Sequence, residues 1–335
     1  MEYRVLGKTG LKVSSMGFGG IPIQRIDAAG TRVLMERMVE AGINYIDTAR
    51  TYGQSECFLG EALEGIRDRF VLATKAMSRD KASMAKDIDM SLANLRTDYI
   101  DLYQVHNPSL AQLEQIVGDG GALEALKEAK AAGKIGHIGL TAHSKEVFEK
   151  ALELDWVETI MFPYNIVETH AEELIRKCAE KNIGFICMKP LAGGAIEDAT
   201  LALRWLCANP DVTVVIPGMA EERELHQNLA ACADSSPLTP AEKAAVLEIR
   251  SALGSNFCRR CNYCQPCAAG ISIYSVFLFD GYLSRYGLEA WARDRYASLP
   301  VKASACIGCG ACEARCPYNL PIRKMLKEAA ARFGE

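Results

Sequence analysis

VLATKAMSRDKASMAKDIDMSLANLRTDYIDLYQV, residues 71–105, reads as strand, helix, strand. Residues 71–75 and 100–105 are short and mostly apolar, as in strands buried on both faces. Residues 81–95 between them are amphipathic and helical in period. A strand, a helix and a second strand at this spacing make a parallel βαβ unit. The same alternation continues on both sides. Further strands are expected at 16–19, 45–47, 135–140, 159–162, 184–188 and 212–216. Helices are expected at 28–41, 55–63, 121–132, 145–152, 171–181, 199–208 and 221–231. Eight strands, each followed by a helix, predict an α/β chain folded as a (β/α)8 TIM barrel of about 250 residues. A doubly wound sheet shows the same alternation, usually with fewer units. Ahead of the barrel, residues 3–6 and 11–14 read as a hairpin turning through Gly7-Lys8-Thr9-Gly10.

The rhythm stops near Ser236-Pro237-Leu238-Thr239-Pro240, a helix entry followed by helical residues 241–253 and Gly254 as a stop. A domain boundary is expected there, giving domains 1–254 and 255–335. The second domain holds eight of the 13 cysteines, in two runs. Cys306, Cys309, Cys312 and Cys316, followed by Pro317, have the spacing of bacterial [4Fe–4S] ligands. Cys258, Cys261, Cys264 and Cys267 form the other run. Four thiolates at such spacings suit zinc or iron–sulfur. Continuous short spacing through four cysteines favours iron–sulfur, because zinc ribbons separate their two knuckles by a longer stretch. Cys57, Cys178, Cys187, Cys207 and Cys232 read as core thiols.

Hydrophobic content of 49% and charged content of 24% are those of an ordinary globular protein. The net charge of −4 offers no broad attraction to nucleic acid or to an anionic membrane. Met1-Glu2-Tyr3-Arg4-Val5 does not read as a signal peptide, and no apolar run approaches the roughly 18 residues of a membrane span. Cysteines in this setting predict cytoplasmic thiols or metal ligands rather than disulfides.

In a barrel, chemistry sits at the C-terminal ends of the strands. Asp47, Lys75 and His106 stand at three successive strand ends, and Tyr52 follows Asp47 in its loop. A phenol of pKa near 10 is too weak an acid at neutral pH. A neighbouring ammonium lowers that value. Lys75 would supply the ammonium, Asp47 would hold it charged, and His106 would orient a substrate carbonyl or relay a proton. Taken singly, a strand-end carboxylate is often a helix cap and a rim lysine or histidine is often solvated; the four in this order form one acid–base unit.

These residues, with Gly42-Ile43-Asn44-Tyr45-Ile46-Asp47-Thr48-Ala49, Tyr52-Gly53, Ser55-Glu56, Ala73-Thr74-Lys75 and Val105-His106-Asn107, resemble the aldo-keto reductase family over roughly residues 1–250. The resemblance implies a catalytic Tyr52 and hydride transfer between a nicotinamide, NAD(H) or NADP(H), and a carbonyl or alcohol substrate. The C-terminal runs resemble the subset of that family fused to a ferredoxin-like domain with two [4Fe–4S] clusters. By the two-cluster ferredoxin pattern, one cluster would use Cys258, Cys261, Cys264 and Cys316, and the other Cys306, Cys309, Cys312 and Cys267.

The cofactor side departs from the family pattern. Thr141-Ala142 stands where the family has Ser-Asn, Met161 where a Gln is common, and Met188 where a Tyr stacks on the nicotinamide. Thr141 and Asn165 supply polar groups, and Lys189 is a candidate for a phosphate or substrate carboxylate. Gly218 and Asn228 align with the family's pyrophosphate and adenine site, where loop and helix amides face phosphate. Glu224 replaces an arginine that holds the 2′-phosphate, which favours NADH over NADPH. An altered nicotinamide pocket, a flavin or no bound nucleotide all fit this pattern. Three functions follow: a carbonyl reductase, an electron-transfer module serving a partner protein, or a barrel whose clusters only staple a short tail.

Overall fold

The computed structural model describes residues 1–253, 257–260 and 262–335. The boundary expected at 254 and the candidate ligand Cys261 lie outside the described residues. Two compact units emerge: residues 1–165, 169–190 and 198–238 form one, and residues 166–168, 191–197 and 239–335 form the other.

The first unit opens with an antiparallel hairpin, β1 (Tyr3–Val5) and β2 (Lys12–Ser14). Eight parallel strands follow: β3 (Phe18–Gly19), β4 (Tyr45–Asp47), β5 (Val71–Ala76), β6 (Ile100–His106), β7 (Ile135–Thr141), β8 (Thr159–Pro163), β9 (Gly184–Met188) and β10 (Val214–Val215). Each pairs with the next in chain order. Bridges from Met16 to Val215 and from Gly19 to Gly218 bring the first strand to the last. The result is a (β/α)8 barrel. Strand and helix positions match the sequence expectation to within a few residues. An additional helix, Leu110–Val117, forms in the segment after β6, with a Ser109–Gln112 capping box.

Tyr45, Ala73, Leu102, Met161, Ile186 and Val214 fill the barrel interior, and Leu6 and Val13 of the hairpin join that cluster. The hairpin reaches it from the N-terminal end of the strands, since Lys8 N donates to Asn182 O at 2.6 Å, just before β9. Gly7 makes this approach possible. Its φ of +55° is left-handed, and a Cβ would strike the backbone of Ile183 and Gly184. With one end plugged, the barrel has a single mouth for chemistry.

In the second unit, helices Ile273–Ser284, Glu289–Ala297 and Ile322–Phe333 surround Ile271, Val276, Phe277, Leu320 and Leu326. Tyr296 stacks on Phe333 with ring centroids 3.8 Å apart. Helix Pro240–Leu253 groups with this unit; its Arg250 Nε donates to Ile166 O at 2.6 Å. No described helix is long and apolar enough to cross a membrane.

Gly7→Ala is expected to destabilise the barrel by about 1–3 kcal/mol, through backbone strain and displacement of the hairpin. Urea unfolding followed by circular dichroism checks this. A midpoint equal to wild type would show that the hairpin does not seal the barrel as described.

Candidate active site

Asp47 ends β4, Lys75 lies near the end of β5 and His106 ends β6. Alternation along a strand carries every second side chain to the same face. Asp47 and Lys75 are 2% and 1% exposed. The Lys75 ammonium donates to Asp47 Oδ1 and, at 2.8 Å, to Thr48 O. Gln104 Nε2 donates to Asp47 Oδ2 at 3.0 Å. Burial pushes the Lys75 pKa below its ordinary value, against the opposing pull of Asp47 and Glu56. Burial likewise raises the Asp47 carboxyl, against Lys75 and Gln104. The pair is thus a dehydrated charge couple kept by its own attraction and hydrogen bonds.

Tyr52 is fixed over this couple by a tight loop. Arg50 N donates to Lys75 O at 3.0 Å, Tyr52 N to Ala49 O at 3.0 Å and Ser55 N to Tyr52 O at 3.0 Å. Gly53 takes a left-handed φ of +55°, and Ser55 Oγ donates to Gly20 O at 2.9 Å. The Lys75 Nζ lies 4.8 Å from the centre of the Tyr52 ring. The His106 ring meets Tyr52 edge-on, with centroids 6.2 Å apart. All four sequence candidates therefore converge.

Two further residues, Gln104 and Glu56, complete the surroundings. Gln104 is fully buried, and its alternation with His106 on one strand face was the available signal. Glu56 is 1% exposed and accepts from Thr74 Oγ1 and Ser91 Oγ at 2.8 Å each and from Arg50 at 2.6 Å. It anchors the helix behind the Tyr52 loop to β5.

The cofactor candidates follow the other strand ends. Thr141 ends β7, level with His106 in the register. Its Oγ1 accepts from Asn107 N at 3.0 Å. Asn165, two residues after β8, donates from Nδ2 to Lys189 O at 3.0 Å. Lys189 directly follows β9 in a left-handed conformation, φ +56°. Gly218 packs so closely that a Cβ would lie 2.6 Å from Pro22 Cγ. Asn228 is 4% exposed in helix Glu222–Cys232. At the start of that helix the Glu224 carboxylate accepts from Ala220 N at 2.7 Å and Glu221 N at 3.2 Å. Arg25 meets both of its oxygens at 3.1 Å. Amides expected to face a phosphate are thus engaged by the helix's own carboxylate.

In the second unit, Cys267, Cys306, Cys309 and Cys312 line one small cavity. Cys258, Cys264 and Cys316 line another. Among the described residues, no three His, Cys, Asp or Glu are arranged to hold a single metal ion. Cys178, Cys187, Cys207 and Cys232 are buried as expected, whereas Cys57 is half-buried.

Comparison with known proteins gives a match to the aldo/keto reductase family over residues 15–200 and to a 4Fe-4S dicluster domain over residues 257–320. An L-galactose dehydrogenase of Arabidopsis thaliana is 28% identical over 74% of this chain and 95% of its own length. The aldo-keto reductase YhdN of Bacillus subtilis is 34% identical over 60% of this chain and 66% of its own. The holo form of aldo-keto reductase AKR11C1 from Bacillus halodurans superposes with a TM-score of 0.65 at 28% identity, covering 74% of this chain and 96% of that one.

Asp47→Asn is expected to cost roughly 3–5 kcal/mol, because it leaves the Lys75 ammonium buried without its partner. Asp47→Asn combined with Lys75→Met is expected to recover most of that loss. Denaturant midpoints of the three proteins check this; an additive loss in the double variant would contradict the coupling.

Proposed function

From the premise that this chain belongs to the aldo/keto reductase family, we propose that it interconverts a small-molecule carbonyl and its alcohol with Tyr52 as general acid and base. The observation that carries this reading is the buried Asp47–Lys75 couple beneath the Tyr52 ring, with His106 at the ring's edge.

A bound nicotinamide would supply or accept the hydride. Everything else falls to side chains. Tyr52 Oη gives its proton to the carbonyl oxygen during reduction and takes it back during oxidation. The Lys75 ammonium favours the phenolate left behind. Asp47, held by Gln104, keeps Lys75 oriented, and His106 orients the carbonyl oxygen. Thr141 accepts a hydrogen bond and keeps its own hydroxyl proton to donate to a carboxamide. The Glu224 carboxylate would repel a 2′-phosphate and suits ribose hydroxyls, which supports NADH as the preferred cofactor. The likeness to an L-galactose dehydrogenase makes sugars the first substrate class to assay. Free thiols and oxygen-sensitive clusters support a cytoplasmic setting.

The cavity linings support two [4Fe–4S] clusters, each drawing three ligands from one run and the fourth from the other. Cys316 would serve the cluster of Cys258, Cys261 and Cys264, and Cys267 that of Cys306, Cys309 and Cys312.

A second reading, electron transfer through a flavin to a partner protein, is favoured by Ala142, Met161 and Met188 at positions where the family has polar or aromatic groups. Methionine is a poorer platform than tyrosine for a nicotinamide ring. An absorbance spectrum of anaerobically purified protein separates the two, since a flavin band would favour this second reading.

Tyr52→Phe is expected to lower NADH-dependent carbonyl reduction by about 10²–10⁴-fold; unchanged turnover would refute Tyr52 as the acid. Cys258→Ser and Cys316→Ser are each expected to lose the same cluster. The double variant then keeps about half of the roughly eight irons that two [4Fe–4S] clusters contain. Iron analysis after anaerobic purification checks this, and loss of nearly all iron in the double variant would overturn the shared-ligand assignment.

A further inference from the structure

The inference rests on the assignment of Cys258, Cys261, Cys264 and Cys316 to one cluster. We propose that a buried ion pair, Arg260 with Glu168, sets the reduction potential of that cluster and makes it the higher-potential of the two.

Arg260 lies between two of the assigned ligands, in Cys258-Arg259-Arg260-Cys261. A left-handed φ of +59° accompanies its inward-turned side chain, which is 7% exposed against 1% for Glu168. Arg260 Nη2 donates to both carboxylate oxygens of Glu168, at 2.7 and 2.9 Å. Nη1 donates to Cys258 O at 3.3 Å. Arg260 lines the cavity with Cys258, Cys264 and Cys316, and Glu168 does not. The pair therefore presents its positive end to the cluster and holds its negative end farther away.

Reduction moves one electron from an external donor onto the cluster and transfers no atom. A nearby buried cation stabilises the added negative charge and raises the potential; a nearby carboxylate lowers it. Low-dielectric surroundings leave both effects largely unscreened. The other cavity is also flanked by guanidiniums, Arg315 and Arg323. Both are exposed, so water and salt screen them. Arg323 is additionally paired with Glu313 at 2.8 Å. The equivalent place in the second run, Cys306-Ile307-Gly308-Cys309, carries glycine instead of arginine. The two sites are therefore electrostatically unequal although both are built from cysteine.

The test is an EPR-monitored redox titration of the full chain, purified without oxygen, with dithionite as reductant. The midpoint that disappears in Cys316→Ser identifies the cluster in question. Glu168→Gln leaves the arginine charge uncompensated and is expected to raise that midpoint. Arg260→Met leaves the carboxylate uncompensated and is expected to lower it. Arg260→Lys keeps the charge and is expected to fall closer to wild type than Arg260→Met. The Glu168→Gln, Arg260→Met double variant removes both charges of the pair, of which only the arginine lines the cavity, and is expected to lie below wild type and above Arg260→Met. If either single variant fails to fold, the double variant still reports, and a double-variant midpoint equal to wild type overturns the proposal. Shifts of one sign in both single variants, or shifts confined to the other cluster, also overturn it. A merely structural role would not reverse sign between the two halves of one ion pair. Iron content measured on the same samples keeps failure of the cluster assignment distinct from failure of the tuning.

Discussion

A lysine and an aspartate buried together at the ends of neighbouring strands are the constraint on which the candidate site depends. Separating them would leave an unpaired charge in the barrel, at a cost of several kcal/mol. Asp47 and Lys75 are therefore bound to each other, and each fixes something further. Asp47 is held by Gln104 from β6, and Lys75 grips Thr48 O at the start of the loop that carries Tyr52. The backbone carbonyl of Lys75 receives Arg50 N from the same loop. One charge couple thus ties three strand ends and a loop into a single arrangement, with the phenol above it.

That arrangement was readable in the sequence because it follows from strand order. Asp47, Lys75 and His106 mark successive strand ends, and parallel neighbours in a barrel bring such positions side by side. Residues whose roles depend on depth were harder to read. Gln104 lies within a mostly apolar strand, and only its burial against Asp47 shows its role. Glu56 reads from sequence as a helix-start acid; only packing shows it buried among Thr74, Ser91 and Arg50. The helix at Leu110–Val117 is absent from the helices expected from sequence, although Ser109 and Gln112 form a capping box. Glu224 was legible as a charge but not as a cap that consumes the amides of its own helix.

Average composition concealed a further division. Residues 239–335 carry 13 Lys and Arg against 8 Asp and Glu, while the chain as a whole has 38 against 42. The barrel sequence is therefore acidic and the cysteine-rich sequence basic. Thiolate-bound clusters are anionic, and cluster potentials respond to surrounding charge and hydrogen bonds. A basic unit suits such centres, and the buried Arg260–Glu168 pair is where that general bias becomes a specific contact.

In the proposed reaction the Asp47–Lys75 couple acts through Tyr52. The most direct measurement is kcat/KM for carbonyl reduction in Lys75→Met, Tyr52→Phe and the two combined. Groups that act as one unit are strongly non-additive. The double variant is expected to be no slower than Tyr52→Phe alone. Full multiplication of the two single losses would contradict it.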